Sequence, residues 1–385
     1  MQFVSDDIVD YITKMRRYFH AHPELSFMEH NTMETVRKEL ISMGYEPRIV
    51  ENGGIVADLN VNDGKRIAVR ADMDALPVEE ENNVEYRSLN KGIMHACGHD
   101  AHTAMLLGLA KILSRQREKI KGNVRFLFQQ AEESPPGGAQ ELIRRDALDR
   151  VDFVIGQHVD SNLDVGTMGI IPGPIMANAD EFRIKIHGKG GHGSEPERAV
   201  DAIIVASSLV SSLQTIVSRN ISPLSPAVVT VGTFKSGYRY NIIAAHAELT
   251  GTVRTYSLDD RELIKRRIEE LLSGVCNSHG ATYEYEYING YPVLINNTDV
   301  SSIVESAAKE VVGQSGIVHP PPKMGGEDFS YYTQKIPGAF YFLGVRNRQK
   351  GIDSPQHSPT YDIDESSLGI GTGILYMSVL KLLGI

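Results

Sequence analysis

The sequence predicts an α/β fold with a mostly parallel sheet, into which a smaller α+β domain is inserted. Three observations support this prediction. Apolar strand patterns alternate with helix patterns up to residue 176, as they do where helices connect parallel strands. The patterns over 177–293 follow another order, and the first arrangement returns over 294–385. A chain of 385 residues is also longer than one typical compact core.

Two helices open the chain. The apolar positions of the first are spaced by four, three and four residues: Ile8, Ile12, Met15 and Phe19. Ser5 can cap this helix, and Pro23 follows its end. The second helix has its apolar positions between Met33 and Met43 and stops at Gly44, because glycine adopts the left-handed conformation common after helices.

The rest of the larger domain alternates between strands and helices. Its predicted strands lie at 53–59, 66–71, 123–128, 152–157 and 339–346. Its further helices lie at about 100–115, within 135–145, from about 298 and from 364. These elements predict a discontinuous domain that comprises 1–176 and 294–385.

The inserted segment, 177–293, has the order strand, helix, strand, strand, helix, strand: 181–188, 196–217, 227–234, 246–255, 259–277 and 281–288. This order matches the split βαβ, ferredoxin-like unit. Its strands alternate between apolar and polar residues, which is typical of an antiparallel sheet with one solvated face.

Composition excludes several classes of function. With 41% hydrophobic and 23% charged residues, the chain is typical of a soluble globular protein. A net charge of −10 argues against nucleic-acid binding. We find neither a signal peptide at the start nor a run of about 18 apolar residues, so we expect no membrane span. Two cysteines do not form a disulfide framework, and we expect a cytoplasmic protein.

Residues 94–104 concentrate potential metal ligands. Five of them fall within eight positions: His95, Cys97, His99, Asp100 and His102. Thiolate, imidazole and carboxylate groups bind zinc, manganese, cobalt or nickel in proteins. This cluster alone does not distinguish a closed structural site from a catalytic one.

Further polar residues follow the ends of the predicted strands. They are Asp72 and Asp74, Glu132 and Glu133, His158, and His357 in a loop after the last strand. Ligands of open α/β sheets bind beyond the carboxyl ends of the strands. We therefore expect these side chains to share one edge of the sheet.

Seven motifs in this order resemble those of the M20 metallopeptidase family, in its branch of amidohydrolases, carboxypeptidases, aminoacylases, hippurate hydrolases and auxin-conjugate hydrolases. They are RADMDALP (70–77), MHACGHDAHTA (94–104), FQQAEE (128–133), GQH (156–158), GKGGHGSEPERAVDA (188–202), GGEDFS (325–330) and HSPTYD (357–362). The resemblance implies a zinc-peptidase α/β domain with an inserted lid and dimerisation domain, and a homodimer or homotetramer.

The resemblance also implies the site. Two divalent metal ions would be held by Cys97, His99, Glu133, His158 and His357. Glu132 would be the general base, and Asp74 would orient a ligand. Many other members have a histidine where this chain has Asp72, and this site uses Cys97 instead. The thiolate favours zinc, while manganese, cobalt and nickel stay open.

Further roles come from the inserted domain. By resemblance, His192 reaches the active site of the partner subunit and stabilises the oxyanion of the tetrahedral intermediate. Asn241 and Arg254 would bind a substrate carboxylate or the oxyanion, although Arg254 is also compatible with a strand-surface charge. The resemblance also places Glu327, in a Gly-Gly-Glu-Asp turn, beside the site as a candidate substrate-binding residue. His95 and His102 are expected to orient ligands rather than to bind metal.

These expectations define a dinuclear metal-dependent hydrolase of N-acyl amino acids, or of the C-terminal residues of peptides. Its partners would be small-molecule substrates, with no nucleic acid and no membrane. A biosynthetic deacetylase of N-acetyl-diaminopimelate is the first alternative. A binding protein on an inactive scaffold is a remote one, because no base or ligand is missing from the motifs.

Overall fold

The structure is a computed structural model that describes residues 3–385, so Met1 and Gln2, which the predicted first domain includes, lie outside the described residues. The chain divides into two compact units. Unit 1 comprises the chain up to Ile175, Ile295–Pro321 and Asp328–Ile385. Unit 2 comprises Met176–Leu294 and Pro322–Glu327.

The helices are α1 Asp6–Ala21, α2 His30–Ser42, α3 His99–Arg115, α4 Ala139–Arg144, α5 Ala202–Thr215, α6 Leu258–His279, α7 Thr298–Val312, α8 Ser330–Thr333 and α9 Ser366–Leu383. The strands are β1 Arg48–Val50, β2 Gly54–Leu59, β3 Arg66–Asp72, β4 Asn123–Gln129, β5 Phe153–Asp164, β6 Met168–Gly169, β7 Gly173–Met176, β8 Ala179–His187, β9 Gly191–His192, β10 Ala227–Ser236, β11 Ile242–Ile243, β12 His246–Thr255, β13 Thr282–Tyr291, β14 Leu294–Asn296, β15 Ile317–Val318 and β16 Gly338–Arg346.

Unit 1 contains an eight-stranded sheet in the order β1-β2-β4-β3-β5-β16-β6-β15. The central strands β4, β3, β5 and β16 run parallel to one another, whereas β1 and β2 join at one edge as antiparallel strands. The prediction of a mixed α/β fold with a large, mostly parallel sheet is confirmed. The register pairs Asp72 at the end of β3 with Gln129 at the end of β4. The carboxyl ends of these strands therefore lie side by side.

The core of unit 1 lies between this sheet and its helices. Strand β4 is buried along its whole length, and β3 along all but its first residue, which explains their nearly continuous apolar sequence. Helix α3 packs against β3, β4 and β5 and against α1 and α9. All but three of its seventeen residues are buried, so α3 is a central helix whose N-terminus starts at the edge where β3 and β4 end.

Unit 2 contains a four-stranded antiparallel sheet in the order β10-β12-β8-β13. Buried and exposed residues alternate along β12, as predicted from the sequence. Helices α5 and α6 pack against this sheet and against each other. The side chains of Asp201 and Ser257 cap the two helices by accepting backbone N–H groups. The four strands of this sheet and the two helices follow one another along the chain in the order β-α-β-β-α-β.

Several predicted bounds differ from the structure. The helix expected from about 196 starts at Ala202, because residues 196–198 form a separate 3₁₀ turn. The periodicity did not predict strands of two to four residues, such as β6 and β15. Residues 322–327 belong to unit 2, whereas the predicted boundary leaves them in the first domain. The amide of Ala177 donates to the carbonyl of Lys323 at 3.0 Å, which ties this segment to unit 2.

Two helices are long and apolar enough to cross a membrane by length and composition alone, although neither is an unbroken apolar run. They are Ala202–Asn220 and Ser366–Leu383, each with a mean hydropathy of 1.4 over its best window. Core helices pass the same test, and 56% of the second window is buried inside unit 1. The two helices are therefore weak evidence for a membrane span.

Candidate metal centre

A glycine turn presents two of the predicted ligands at the start of α3. Gly98 has φ +91°, a conformation that side-chain-bearing residues rarely adopt. A Cβ at this position would also lie 2.3 Å from Val159 Cγ2. Only glycine fits this turn, which places Cys97 just before the helix and His99 in its first turn.

The other ligands come from three more segments. His158 lies within β5, beside Phe342 of β16. Glu133 follows β4. His357 has φ +64°, and its amide donates to the carbonyl of Ala96 at 2.8 Å. This hydrogen bond brings the loop of His357 against the segment of Cys97.

The structure brings all five predicted ligands into one cluster in unit 1. Cys97 Sγ lies 3.4 Å from His158 Nε2. Glu133 Oε1 lies 3.4 Å from His357 Nε2 and 3.9 Å from His99 Nε2. Two groups have ligand atoms within 4.8 Å of one another: Cys97, His99 and His158, and Cys97, Glu133 and His357. Cys97 is common to both groups.

The donor atoms fit divalent cations. His99 Nε2 and Glu133 Oε1 are buried and have no hydrogen-bond partner among residues 3–385. Burial, together with Glu133, raises the pKa of the Cys97 thiol well above its usual value. A buried polar atom without a partner is costly. A cation would satisfy both orphaned atoms and stabilise the thiolate.

Hydrogen bonds orient the two buried imidazoles. His158 Nδ1 lies 2.7 Å from the carbonyl of Val159, so it carries the proton and donates it. His99 Nδ1 lies 3.2 Å from Asp74 Oδ1 and donates in the same way. Both rings are thereby held at Nδ1 and direct Nε2 into the cluster, an arrangement typical of metal-binding histidines.

Asp72 is engaged by other partners. Arg70 Nη1 donates to its Oδ2 at 2.7 Å, and His102 Nδ1 lies 2.6 Å from its Oδ1. Burial alone would raise the pKa of Asp72, but Arg70 holds it well below its usual value. His102 Nε2 in turn accepts the amide of Val159 at 2.9 Å. Asp72 and His102 thus form a buried chain that ends beside His158.

Asp74 joins the ligands to the predicted base. Its carboxylate accepts the amides of Glu132 and Glu133 at 3.1 and 3.0 Å and the hydroxyl of Ser26 at 2.7 Å. Burial alone would raise the pKa of Asp74, but His99 and the hydrogen bonds from Ser26 and Glu133 together hold it below its usual value. The carboxylate of Glu132 is buried, with one oxygen within 4.8 Å of ligand atoms of His99 and Glu133.

His95 differs from the expectation that it orients a ligand. Both of its ring nitrogens are buried without a hydrogen-bond partner among the described residues. Burial lowers its pKa to about 4. His95 is therefore a neutral residue that holds no ligand through a hydrogen bond.

The remaining predicted residues lie in unit 2. His192 in β9 pairs with Ile242 of β11, and the carbonyl of Asn241 accepts the amide of Gly193 at 2.9 Å, so His192 and Asn241 are neighbours. Arg254 is half-buried in β12, where burial lowers its pKa, and its guanidinium donates to the carbonyl of Val253 at 3.1 Å. Glu327 is buried at the end of the segment 322–327.

Sequence analysis missed Glu29, which is fully buried near the turn of Glu132. Its carboxylate accepts the amide of Ala131 at 2.8 Å and the side-chain amide of Gln130 at 2.7 Å. Burial, together with the charge of Asp74, raises the pKa of Glu29 to about 7. In the sequence, a glutamate just before a helix is typical of a capping residue, so no signal distinguished it.

Comparison with known proteins gives consistent matches. The model of the peptidase family M20/M25/M40 matches residues 68–381. The N-acyl-L-amino acid amidohydrolase of Geobacillus stearothermophilus is 45% identical over 293 residues, which cover 76% of this chain and 79% of that protein. Thermostable carboxypeptidase 2 of Saccharolobus solfataricus is 40% identical over 373 residues, which cover 95% of this chain and 93% of that protein.

A solved structure is similar over nearly the whole chain. The Bacillus subtilis YXEP protein, described as a dinuclear metal binding peptidase from the M20 family, is 33% identical with a TM-score of 0.85. The similarity covers 99% of this chain and 99% of that chain.

Proposed function

The chain belongs to peptidase family M20/M25/M40 and is a metal-dependent amide hydrolase, and from this premise we propose that it cleaves N-acyl amino acids or the C-terminal residues of peptides. The names of an N-acyl-L-amino acid amidohydrolase and a carboxypeptidase among its relatives support this substrate class. The observation that carries the proposal is the five-ligand cluster with its two orphaned donor atoms beside Glu132.

Two divalent ions per chain are supported by the family and by the dinuclear relative. We infer that Cys97, His99, Glu133, His158 and His357 hold them, and that zinc is the preferred metal because one ligand is a thiolate. When bound, such ions supply a Lewis acid for the scissile carbonyl and lower the pKa of a water molecule toward neutrality.

Glu132 is the proposed general base. Its carboxylate would accept the proton of the attacking water and pass it to the leaving amine, which completes amide hydrolysis. Asp74 fixes its place, because one carboxylate accepts the amides of both Glu132 and Glu133 and also receives His99 Nδ1. Asp74 thereby holds the proposed base Glu132 and the adjacent proposed ligand Glu133 in fixed positions.

Unit 2 would bind substrate and a second copy of the chain. Arg254 and Asn241 are the proposed contacts for the substrate carboxylate or the oxyanion, and we assign to Glu327 a place beside the site. Strand β10 is an edge of its sheet, and several apolar side chains of unit 2 are exposed: Ile204, Leu224, Phe234, Tyr238 and Tyr240. An open edge with exposed apolar residues supports a homodimer, which can pair into a homotetramer.

A substrate panel tests this function. Purified enzyme would be assayed for amino-acid release from N-acetyl, N-benzoyl and benzyloxycarbonyl amino acids and from N-acetyl-diaminopimelate. We expect turnover of several blocked amino acids and loss of turnover when the substrate carboxylate is amidated. Turnover of N-acetyl-diaminopimelate alone would replace this proposal with the biosynthetic deacetylase, and no turnover at all would favour a binding protein.

The role of His192 across a dimer has a separate test. His192→Ala and Glu132→Gln subunits, each inactive, would be mixed and allowed to exchange. Recovered activity supports a histidine that acts in the partner's site, since each mixed dimer then contains one intact site. Absence of recovery in verified mixed dimers contradicts it.

We also propose that the enzyme is cytoplasmic. Both cysteines are buried and free, and a thiolate ligand requires a compartment that keeps thiols reduced.

A further inference from the structure

We propose that Glu29 is a positioning residue for the proposed amide hydrolysis: it holds the turn 130–133 in the conformation that presents the base Glu132. The inference rests on the proposed function for its catalytic meaning. Its structural basis is independent of bound metal, since it concerns backbone hydrogen bonds within unit 1.

The turn has an unusual backbone. Ala131 has φ +58°, in the left-handed region that residues other than glycine rarely adopt. Such a conformation persists only where the surroundings hold it, and it is frequent at functional sites. Ala131 directly precedes Glu132, so a change of its conformation would redirect the base.

Two buried carboxylates hold this turn. Glu29 Oε1 accepts the amide of Ala131 at 2.8 Å. Asp74 Oδ1 and Oδ2 accept the next two amides, those of Glu132 and Glu133. Three consecutive backbone N–H groups are thus held by two side chains, and Glu29 supplies the partner at the strained residue.

The second oxygen of Glu29 holds the start of the turn. Gln130 Nε2 donates to Glu29 Oε2 at 2.7 Å, and the backbone of Gln130 is fixed by Gly53 and Gly138. Both carboxylate oxygens of Glu29 therefore accept a hydrogen bond from this turn. Glu29 is 0% exposed, so water does not replace it as a partner for these donors.

Glu29 does not perform the role that its position suggests. It is the N-cap residue of α2, yet its side chain makes no capping hydrogen bond. The carboxylate of Glu24 caps this helix instead, by accepting the amides of Asn31 and Thr32 at 3.1 and 2.9 Å. The structure thus supplies a separate cap and leaves Glu29 to the turn.

The segment between α1 and α2 serves the site at two points. Ser26 donates to Asp74 at 2.7 Å, and Glu29 accepts from Ala131. This segment precedes residues 68–381, which match the family model. Ser26 and Glu29 are therefore the two side chains of this segment that position the turn and its support Asp74.

The test compares Glu29→Ala and Glu29→Asp with Glu24→Ala, a matched control that loses helix capping on the same segment. In each Glu29 variant, buried donors of the turn lose their partner, and a displacement of about 1 Å can reduce catalysis by about 100-fold. The variants are assayed well below their unfolding temperatures. In Glu29→Ala and Glu29→Asp, we expect kcat to fall at least about tenfold while KM stays within about threefold of the wild-type value. Glu24→Ala should keep kcat within about twofold although it lowers stability.

Glu29→Gln serves as the conservative rescue. Its carbonyl oxygen can accept the amide of Ala131, and Gln130, whose Oε1 has no partner among the described residues, can turn its amide to accept the new N–H group. We expect this variant to keep kcat within about threefold of the wild type. Glu29→Asp keeps the charge but shortens the side chain, so it stays informative if Glu29→Ala does not fold.

Hydrogen exchange of the amides of residues 131–133 gives a readout that needs no activity. We expect faster exchange at these amides in Glu29→Asp, and no change there in Glu24→Ala. Unchanged exchange and unchanged kcat in folded Glu29→Ala or Glu29→Asp would overturn the inference, as would an equal loss of kcat in Glu24→Ala. If the wild type hydrolyses none of the panel, the proposed function fails, while the exchange data still decide whether Glu29 holds the turn.

Discussion

Each unit contains a buried centre of ionisable groups, and the two centres are completed differently. In unit 2, Asp180 is 2% exposed and accepts hydrogen bonds from Arg261, Tyr287, Asn178 and the amide of Gly290. Its charge is paired and its oxygens are satisfied. In unit 1, His99 Nε2 and Glu133 Oε1 are buried without a partner among the described residues.

We interpret this difference as that between a structural ion pair and the proposed metal centre. Buried charges are retained when they are paired or when they coordinate a metal. Asp180 follows the first rule, so its loss should cost stability. We assign the cluster of unit 1 to the second, so changes there should alter metal binding and turnover.

Glu132→Gln gives the largest expected effect. It removes the proton acceptor but keeps the volume of the side chain, so kcat should fall about 10³-fold while metal content stays at the wild-type value. Glu133→Gln is the matched comparison, because it removes a proposed metal ligand and should lower both kcat and metal content. Kinetics with an N-acetyl amino acid and elemental analysis measure this, and a near-normal kcat for Glu132→Gln would contradict its role.

Arg261→Met tests the opposite expectation in unit 2. Removing one partner of a buried ion pair leaves Asp180 incompletely compensated and should cost about 3 kcal/mol of stability. Urea unfolding, monitored by the hydrogen exchange of amides in unit 2, would measure this cost. Metal stoichiometry should not change. A loss of metal in the folded variant would contradict the assignment of a purely structural role to the centre of unit 2.

Cys97→Ser should weaken metal binding by about 100-fold or more, at or beyond the upper end of what the loss of a supporting residue costs. The hydroxyl of serine is a poorer ligand than a thiolate for zinc. Metal content after dialysis against a buffered free-metal concentration is the measurement. Cys276→Ser, at the buried cysteine of unit 2, is the control, and equal metal retention in both variants would remove Cys97 from the ligand set.

His102→Phe should have the smallest effect, about a tenfold loss of metal affinity. It keeps a ring in place but leaves Asp72 Oδ1 and the amide of Val159, next to the ligand His158, without their partner. The affinity can be measured by competition with a chromophoric chelator. His187→Phe, on the exposed face of the sheet in unit 2, should change nothing, and the same result for His102→Phe would show that it supports no ligand.

Much of the fold was predictable because its patterns are local. The periodicity of Ile8 to Phe19 predicted α1, and apolar runs predicted β3, β4 and β5 to within one or two residues at their starts. The carboxyl ends of parallel strands meet, which is why residues as distant as Glu133 and His357 could be expected at one edge.

What escaped prediction depends on long-range contacts. Glu29 lies about 100 residues before the turn that it holds, and its position before α2 resembles that of an ordinary cap. The pairing of Asp72 with both Arg70 and His102 likewise requires the folded chain. Substrate preference depends on pocket residues that no motif identifies.

The most direct test of the metal centre starts from protein whose metal has been removed with a chelator. This protein is titrated with zinc while amino-acid release from an N-acyl amino acid is measured. The account predicts no release from the chelated protein and a rise in activity that ends at two equivalents of zinc per chain. Activity that survives complete chelation, or full activity without any bound metal, would contradict it.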